Sequence, residues 1–238
     1  MPAAFPVTNG MDLADFEKRA GVYFKDKRLL KQAFTHRSYL NENKDMSLEH
    51  NERLEFLGDA VLELAVTEYL FSKYPEKTEG DLTSYRAALV NATTCAEVAS
   101  QLGVNDLLLL SKGESKDTGR ARQYILANTL EAVIGAVYLD QGFKEATEFV
   151  LRHITPLTDK IVKTASWLDP KSHFQEKAQE IANITPLYKV IKETGPDHDK
   201  YFTSGVFLGG EMVALGEGNS KQDAEQEAAR RALEEKGW

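Results

Sequence analysis

Between Tyr124 and Leu139 the chain reads YILANTLEAVIGAVYL, and Glu131 is the one ionised side chain in that run. At about 100° per residue its apolar side chains point in every direction, which predicts a helix held inside a protein. Ala127, Ala132, Gly135 and Ala136 leave room for a neighbouring helix to approach closely. Asn128 lies one turn before Glu131 on about the same face. A lone carboxylate in such a segment is costly unless it is paired, protonated or bound to metal. The run is also shorter than the roughly 20 residues that span a bilayer. Whatever folds around it must supply a partner for that carboxylate.

A second segment, Leu48 to Lys73, contains HNERLEFLGDAVLELAVTEYLF. On a helix, Glu52, Glu55 and Asp59 fall within an arc of roughly 60°. Leu54, Leu57, Val61 and Leu64 form one apolar row, and Phe56 and Ala60 another. The pattern predicts an interior helix whose acidic arc is at least partly sheltered. Ordinary ion pairing would neutralise these acids through Arg53 or Lys73, and Glu131 through Arg86. Taken together, however, three carboxylates on one helix with a Glu and an Asn on another make a like-charged oxygen cluster. No basic residues are obviously interleaved. Divalent metal resolves such repulsion, and oxygen-only ligands suit Mg²⁺ or Mn²⁺. A site of this kind activates water and stabilises a leaving oxygen in phosphodiester hydrolysis, especially with two ions about 3.5–4 Å apart. It needs no nucleophilic side chain.

Up to about Ile161 the spacing predicts helices over Leu13–Ala20, Lys27–Phe34, Leu48–Lys73, Asp81–Leu102, Gly119–Asp140 and Lys144–Thr158. Breaks fall at Tyr74-Pro75, Gly80, Gly103 and Gly142. After Thr164-Ala165-Ser166 the pattern changes. A helix from Asp169-Pro170 to about Ala182 precedes strands over Leu187–Glu193, Lys200–Leu208 and Glu211–Gly216, with Gly209-Gly210 suited to a two-residue hairpin turn. A last helix opens at Ser220, with Asp223 three residues on, and presents Ala224, Ala228, Ala229, Ala232 and Leu233 as a small-residue face. The expected architecture is an all-α domain (1–161), a linker (162–168) and a small α+β domain of order α-β-β-β-α (169–238).

The remaining features narrow the chemistry. A single cysteine, Cys95, excludes an intrachain disulfide framework and a Cys-rich zinc site, and is expected to be a small buried thiol. Residues 1–18 lack the basic region and apolar core of a signal peptide, so a cytoplasmic setting without a membrane is expected. The histidines form no zinc-binding HExxH pair; His36, His153 and His173 read as structural. Residues 110–119, LSKGESKDTG, do not have P-loop spacing. Net charge is −8, and division at Leu168 leaves −4 on each side, so any contact with nucleic acid must come from a local patch.

The run Asn51-Glu-Arg-Leu-Glu-Phe-Leu-Gly-Asp59 with Ala60-Val61-Leu62 resembles the signature motif of bacterial ribonuclease III. Glu79-Gly-Asp81 followed by Arg86-Ala-Ala-Leu-Val90, and Ile125-Leu-Ala-Asn-Thr-Leu-Glu-Ala-Val-Ile-Gly135, extend the resemblance. It covers about Phe16 to Trp238, a catalytic domain followed by a double-stranded-RNA-binding domain. The resemblance implies a homodimeric, Mg²⁺-dependent endonuclease that cuts both strands of duplex RNA. It leaves 5′-phosphate and 3′-hydroxyl ends, and ribosomal-RNA maturation is the cellular role implied. By the same resemblance Glu55, Asp59, Asn128 and Glu131 are metal ligands. Asp59 and Glu131 are tied most directly to catalysis, and Glu52 and Glu79 support the site. Arg53 is expected to tether neighbouring acids. The family often has Asp where this chain has Asn128, which keeps an oxygen but adds no charge. Duplex RNA would be gripped by Gln175 and Glu176, by a loop bearing His198, and by the helix start at Ser220 and Lys221. The family commonly has several lysines at that helix start; here the run is Lys221-Gln-Asp-Ala-Glu225. The rival reading is a protein that binds duplex RNA without cutting it, and only Asn128 favours it. No protein partner can be inferred.

Overall fold

The computed structural model describes residues 12–43, 48–163, 169–196 and 200–238. The chain divides into two compact units, the first through Trp167 and the second from Leu168.

The first unit is helical among the described residues. Helix α1 spans Leu13–Ala20, capped by the Asp12 side chain and stopped by Gly21 in the left-handed region. Then come α2 (Lys27–Ala33), α3 (Arg37–Glu42), α4 (Glu52–Lys73), α5 (Glu79–Val90) and α6 (Ala92–Gln101). They are followed by α7 (Arg120–Gln141), α8 (Phe143–His153) and α9 (Thr158–Lys163), with short 3₁₀ turns at Val104–Asp106, Glu114–Lys116 and Thr155–Leu157. Helix α7 is the hub. Its side chains from Ile125 to Val137 are almost all buried, and α4, α6, α8 and α2 pack around it.

Four expectations need correction. The helix expected over Lys144–Thr158 ends at His153, where a 3₁₀ turn at Thr155–Leu157 with Pro156 in its first turn intervenes before α9. The stretch Asp81–Leu102 is two helices, because Asn91 turns the backbone to an extended ψ of 160° and caps α6 by accepting from the Thr94 N–H. Helix α3 carries no buried residue, so it leaves no apolar period to read. Helix α4 starts at Glu52, not Leu48, and one side of it faces outward: Phe56 is 83% exposed, Phe71 72% and Leu64 54%. Its acidic arc is therefore sheltered at Glu55 alone, while Glu52 and Asp59 are exposed.

The second unit begins with α10 (Pro170–Ala182), whose N-cap Asp169 accepts from the Ser172 N–H and whose end is turned by Asn183 at φ 56°. Strands β1 (Leu187–Thr194), β2 (Tyr201–Leu208) and β3 (Glu211–Gly218) form an antiparallel sheet in that order. Gly209 and Gly210, at φ 57° and 94°, make the hairpin turn between the last two. Helix α11 (Lys221–Lys236) lies on one face of the sheet with Ala224, Ala228, Ala229 and Ala232 fully buried. The approach is so close that a Cβ at Gly216 would stand 2.0 Å from the Ala228 nitrogen. Phe174 and Val206 complete this small core.

Candidate active site

Helices α4 and α7 touch backbone to backbone. A Cβ at Gly58 would lie 1.7 Å from the Glu131 carbonyl oxygen, and one at Gly135 would lie 2.2 Å from the Leu54 carbonyl oxygen. No side chain fits at either point, and the glycines set the spacing of the two helices. Residues beside the crossing are thereby brought together: Glu55 and Asp59 from α4, Asn128 and Glu131 from α7.

Each of these carboxylates acts through its charge on its neighbours across the crossing. Burial, then the nearby Asp59 and Glu55 carboxylates, push the Glu131 carboxyl up to about 7. Burial also raises Glu55, helped by Glu52 and Asp59, while a hydrogen bond with the Asn128 side chain acts in the opposite direction. Behind the cluster the fully buried Cys95 thiol is pushed up to about 12, by burial first and then by Glu131 and Asp59. It is a protonated core group and not a nucleophile.

The conventional partners are engaged elsewhere. Arg86 pairs with Glu63 at 3.0 Å and donates to the Thr67 hydroxyl at 3.0 Å. Lys73 pairs with Asp159 at 2.8 Å. Arg53 is exposed and forms no ion pair among the described residues. Among those residues Glu55, Asp59 and Glu131 have no Lys, Arg or His partner either. This donor set, three carboxylates and one amide oxygen that raise one another's charge cost, suits a hard divalent cation. Among the described residues no three His, Cys, Asp or Glu side chains close to metal-holding distances.

The other expected acids sit differently. Glu52, one turn before Glu55, pairs with Arg37 at 3.3 Å. Glu79 opens α5, exposed, and accepts from the Thr83 hydroxyl at 3.0 Å; it does not contribute to the environment of Glu55 or Glu131. Asn51, part of the motif but given no role in the sequence reading, is 2% exposed. Its backbone N–H donates to the Thr35 carbonyl at 2.9 Å, and its side chain donates to the Ala33 carbonyl at 3.1 Å. The Leu109 N–H donates to the Phe34 carbonyl at 2.9 Å and the His36 N–H to the Leu109 carbonyl at 3.1 Å. Asn51 thus fastens the start of α4 to the α2–α3 corner.

In the second unit Gln175 and Glu176 lie exposed on α10. Ser220 caps α11 by accepting from the Asp223 N–H at 3.0 Å. Lys221, exposed, holds its ammonium 5.8 Å from the Phe202 ring centre. His198 lies outside the described residues.

Comparison with known proteins matches residues 26–157 to the ribonuclease-III-like family and residues 170–236 to the double-stranded RNA binding motif. A curated relative, ribonuclease 3 of Pelotomaculum thermopropionicum, is 45% identical over 91% of this chain and 90% of its own length. Ribonuclease 3 of Enterococcus faecalis is 45% identical over 92% and 95% respectively. The solved nuclease domain of ribonuclease III from Campylobacter jejuni, described with a region involved in dimer formation, superposes with a TM-score of 0.56 at 44% identity. It covers 61% of this chain and 97% of that one. With one family spanning more than half of the sequence and relatives this similar along nearly all of it, the chain belongs to the ribonuclease III family.

Proposed function

We propose that this protein is an endoribonuclease that hydrolyses both strands of duplex RNA with a divalent cation, Mg²⁺ or in its place Mn²⁺. The observation that carries this reading is the Glu55–Asp59–Glu131 cluster with Asn128, assembled by the Gly58–Gly135 contact and left without a basic partner. Those four residues would hold the cation, with Asp59 and Glu131 nearest the reacting phosphate. A cation bound there supplies Lewis-acid activation of water and neutralises charge at the phosphate. The buried flank of α7 keeps the carboxylates in an environment of low polarity, where their hold on a cation is stronger than in water. Products carry 5′-phosphate and 3′-hydroxyl ends.

Cutting two antiparallel strands with one kind of site calls for a twofold-related pair of chains. The outward face of α4, with Phe56, Leu64 and Phe71, supports a homodimer joined there. Duplex RNA is held by the second unit, through Gln175, Glu176 and the start of α11, where free backbone N–H groups and Lys221 meet phosphate. Glu52 and Glu79 serve as supporting acids at the substrate. No helix among the described residues is long and apolar enough to cross a membrane; a cytoplasmic role in ribosomal and other RNA processing fits. The test is incubation with a long RNA duplex plus Mg²⁺ and, separately, plus chelator. Cleavage only with the cation supports the enzyme. Binding without cleavage supports the second reading, a non-cutting RNA-binding protein, to which Asn128 alone points.

Two quantitative outcomes arise here. Asn128→Asp adds a charge to the ligand set, so the Mg²⁺ concentration giving half-maximal cleavage should fall on the order of 10-fold. An unchanged Mg²⁺ titration would remove Asn128 from the ligand set. Lys221→Ala should weaken duplex binding about equally for all sequences and reduce the log–log salt slope by about 1. A gel-shift series across salt concentrations reads both quantities.

A further inference from the structure

A cavity of about 360 Å³ opens beside the carboxylate cluster, between the α2–α3 corner and the first half of α7; its walls include His36, Glu52, Glu55, Glu114, Tyr124 and Asn128. The orientation of His36 is fixed by its surroundings. The Ser38 N–H donates to Nδ1 at 3.3 Å, and the Ser38 hydroxyl, 2.8 Å from the same nitrogen, accepts from the Ser111 N–H at 3.1 Å. A nitrogen that accepts a backbone N–H carries no proton, so the ring proton of the neutral imidazole sits on Nε2. Burial favours that neutral form. Nε2 has no acceptor among the described residues, and the ring is part of the cavity wall.

Glu114 stands on the same wall and acts on the His36 ring through its charge. Arg122 staples its turn, donating to the Glu114 carbonyl at 2.8 Å and the Asp117 carbonyl at 3.1 Å. The Glu114 carboxylate has no ion-pair partner among the described residues. Glu52 and Glu114, the wall carboxylates outside the proposed cation set, repel a phosphate. A neutral N–H donor together with a carboxylate acceptor is satisfied by a hydroxyl, which accepts with its oxygen and donates with its hydrogen. Duplex RNA carries one such group per nucleotide close to its phosphates, the ribose 2′-hydroxyl, and that group separates RNA from DNA.

We propose that this cavity seats the ribose of a nucleotide adjoining the bond to be cut. His36 Nε2 donates to its 2′-hydroxyl oxygen and Glu114 accepts the hydroxyl proton, which makes His36 a specificity-determining residue for ribose over deoxyribose. The inference rests on the nuclease reading above. Tyr124, 47% exposed, offers its ring to the same sugar.

The experiment uses the full chain, Mg²⁺, one all-ribose duplex and a series of duplexes each with a single 2′-deoxy nucleotide near the cut. The unaltered protein should cut one member of the series about 10-fold more slowly than the all-ribose duplex. His36→Asn retains an oxygen that can accept from the Ser38 N–H and cap α3, but loses the Nε2 donor. It should cut the all-ribose duplex about 10-fold more slowly and treat that one deoxy duplex within 2-fold of it, with the rest of the series unchanged. Glu114→Ala, at a side chain without an ion pair, removes the acceptor and should collapse the same ratio at the same nucleotide, which keeps the test open if His36→Asn fails to fold. Equal ratios for variant and unaltered protein at every position overturn the inference. So does a shift in Mg²⁺ requirement that is the same for ribose and deoxyribose duplexes, which would make the cavity a cation site. Failure of the unaltered protein to cut the all-ribose duplex instead overturns the nuclease reading itself.

Discussion

Glu131→Gln should lower cleavage of duplex RNA on the order of 10³-fold or more, while duplex binding and the fold are retained. The amide is nearly isosteric and keeps one oxygen, but loses the charge that holds a cation beside Asp59 and Glu55. Single-turnover cleavage with saturating protein checks the first part, and a gel shift in the presence of chelator the second. Cleavage within 10-fold of the unaltered protein would remove Glu131 from the chemistry.

The same substitution should stabilise the cation-free protein at neutral and higher pH. Glu131 titrates at about 7 in the folded chain against an ordinary 4.5. A carboxyl whose folded value lies above its unfolded one binds more protons in the folded state between those values, so stability falls as pH rises from about 4.5 through 7. Above pH 8 the whole penalty is present; below pH 4.5 it is absent. A shift of this size corresponds to roughly 3 kcal/mol when fully expressed, and solvent at the partly exposed carboxylate reduces it to on the order of 1–2 kcal/mol. Denaturant melts with chelator should therefore show Glu131→Gln more stable than the unaltered protein at pH 8 and equal to it at pH 4.5. Added Mg²⁺ should narrow the gap at pH 8 by stabilising the unaltered protein.

Gly58→Ala and Gly135→Ala are the second pair of large effects. In an open helix either change would help by about 1 kcal/mol, because Ala is the better helix former. Here the added methyl meets backbone at 1.7 Å or 2.2 Å, and backbone cannot rotate aside. Helices α4 and α7 must separate, which costs more than the 1–3 kcal/mol typical of an overpacked core. At roughly 2–4 °C per kcal/mol for a unit of this size, a fall in Tm of about 10 °C is expected. Cleavage should fall with it, because separation moves Glu55 and Asp59 away from Asn128 and Glu131. A variant with unchanged Tm and activity would show that the contact is slack. Ala60→Gly, on the exposed side of α4, is the control and should cost only about 1 kcal/mol.

Much of this was legible in the chain because helical periodicity and charge placement are local signals. The isolated Glu131 in an apolar run and the glycine and alanines around it announced a close helix contact, and the contact falls at Gly135. The small-residue face of α11 announced close packing on the sheet in the same way. Periodicity shows which faces are apolar but not what covers them, so the outward face of α4 with Phe56 and Leu64 read as interior. Helix α3 was illegible because it buries nothing. The break at Asn91 was hidden because α5 and α6 are joined by a single capping residue. The cavity residues His36, Glu114 and Tyr124 are far apart in sequence and share no spacing rule; only the fold brings them together. His36 read as structural, which is true of one of its two nitrogens.

Asn51 acts as a rivet through otherwise separate lengths of chain. It joins the first acidic turn of α4 to the corner that carries His36, and Leu109 is stitched to that corner as well. The stretch from Lys27 to Asp59 is thus a cassette: a fragment or chimera that begins at the acidic motif would inherit the carboxylates but not the frame that aims them. Transplanting the activity into another helical scaffold would require moving that cassette whole, together with the α7 helix it leans on.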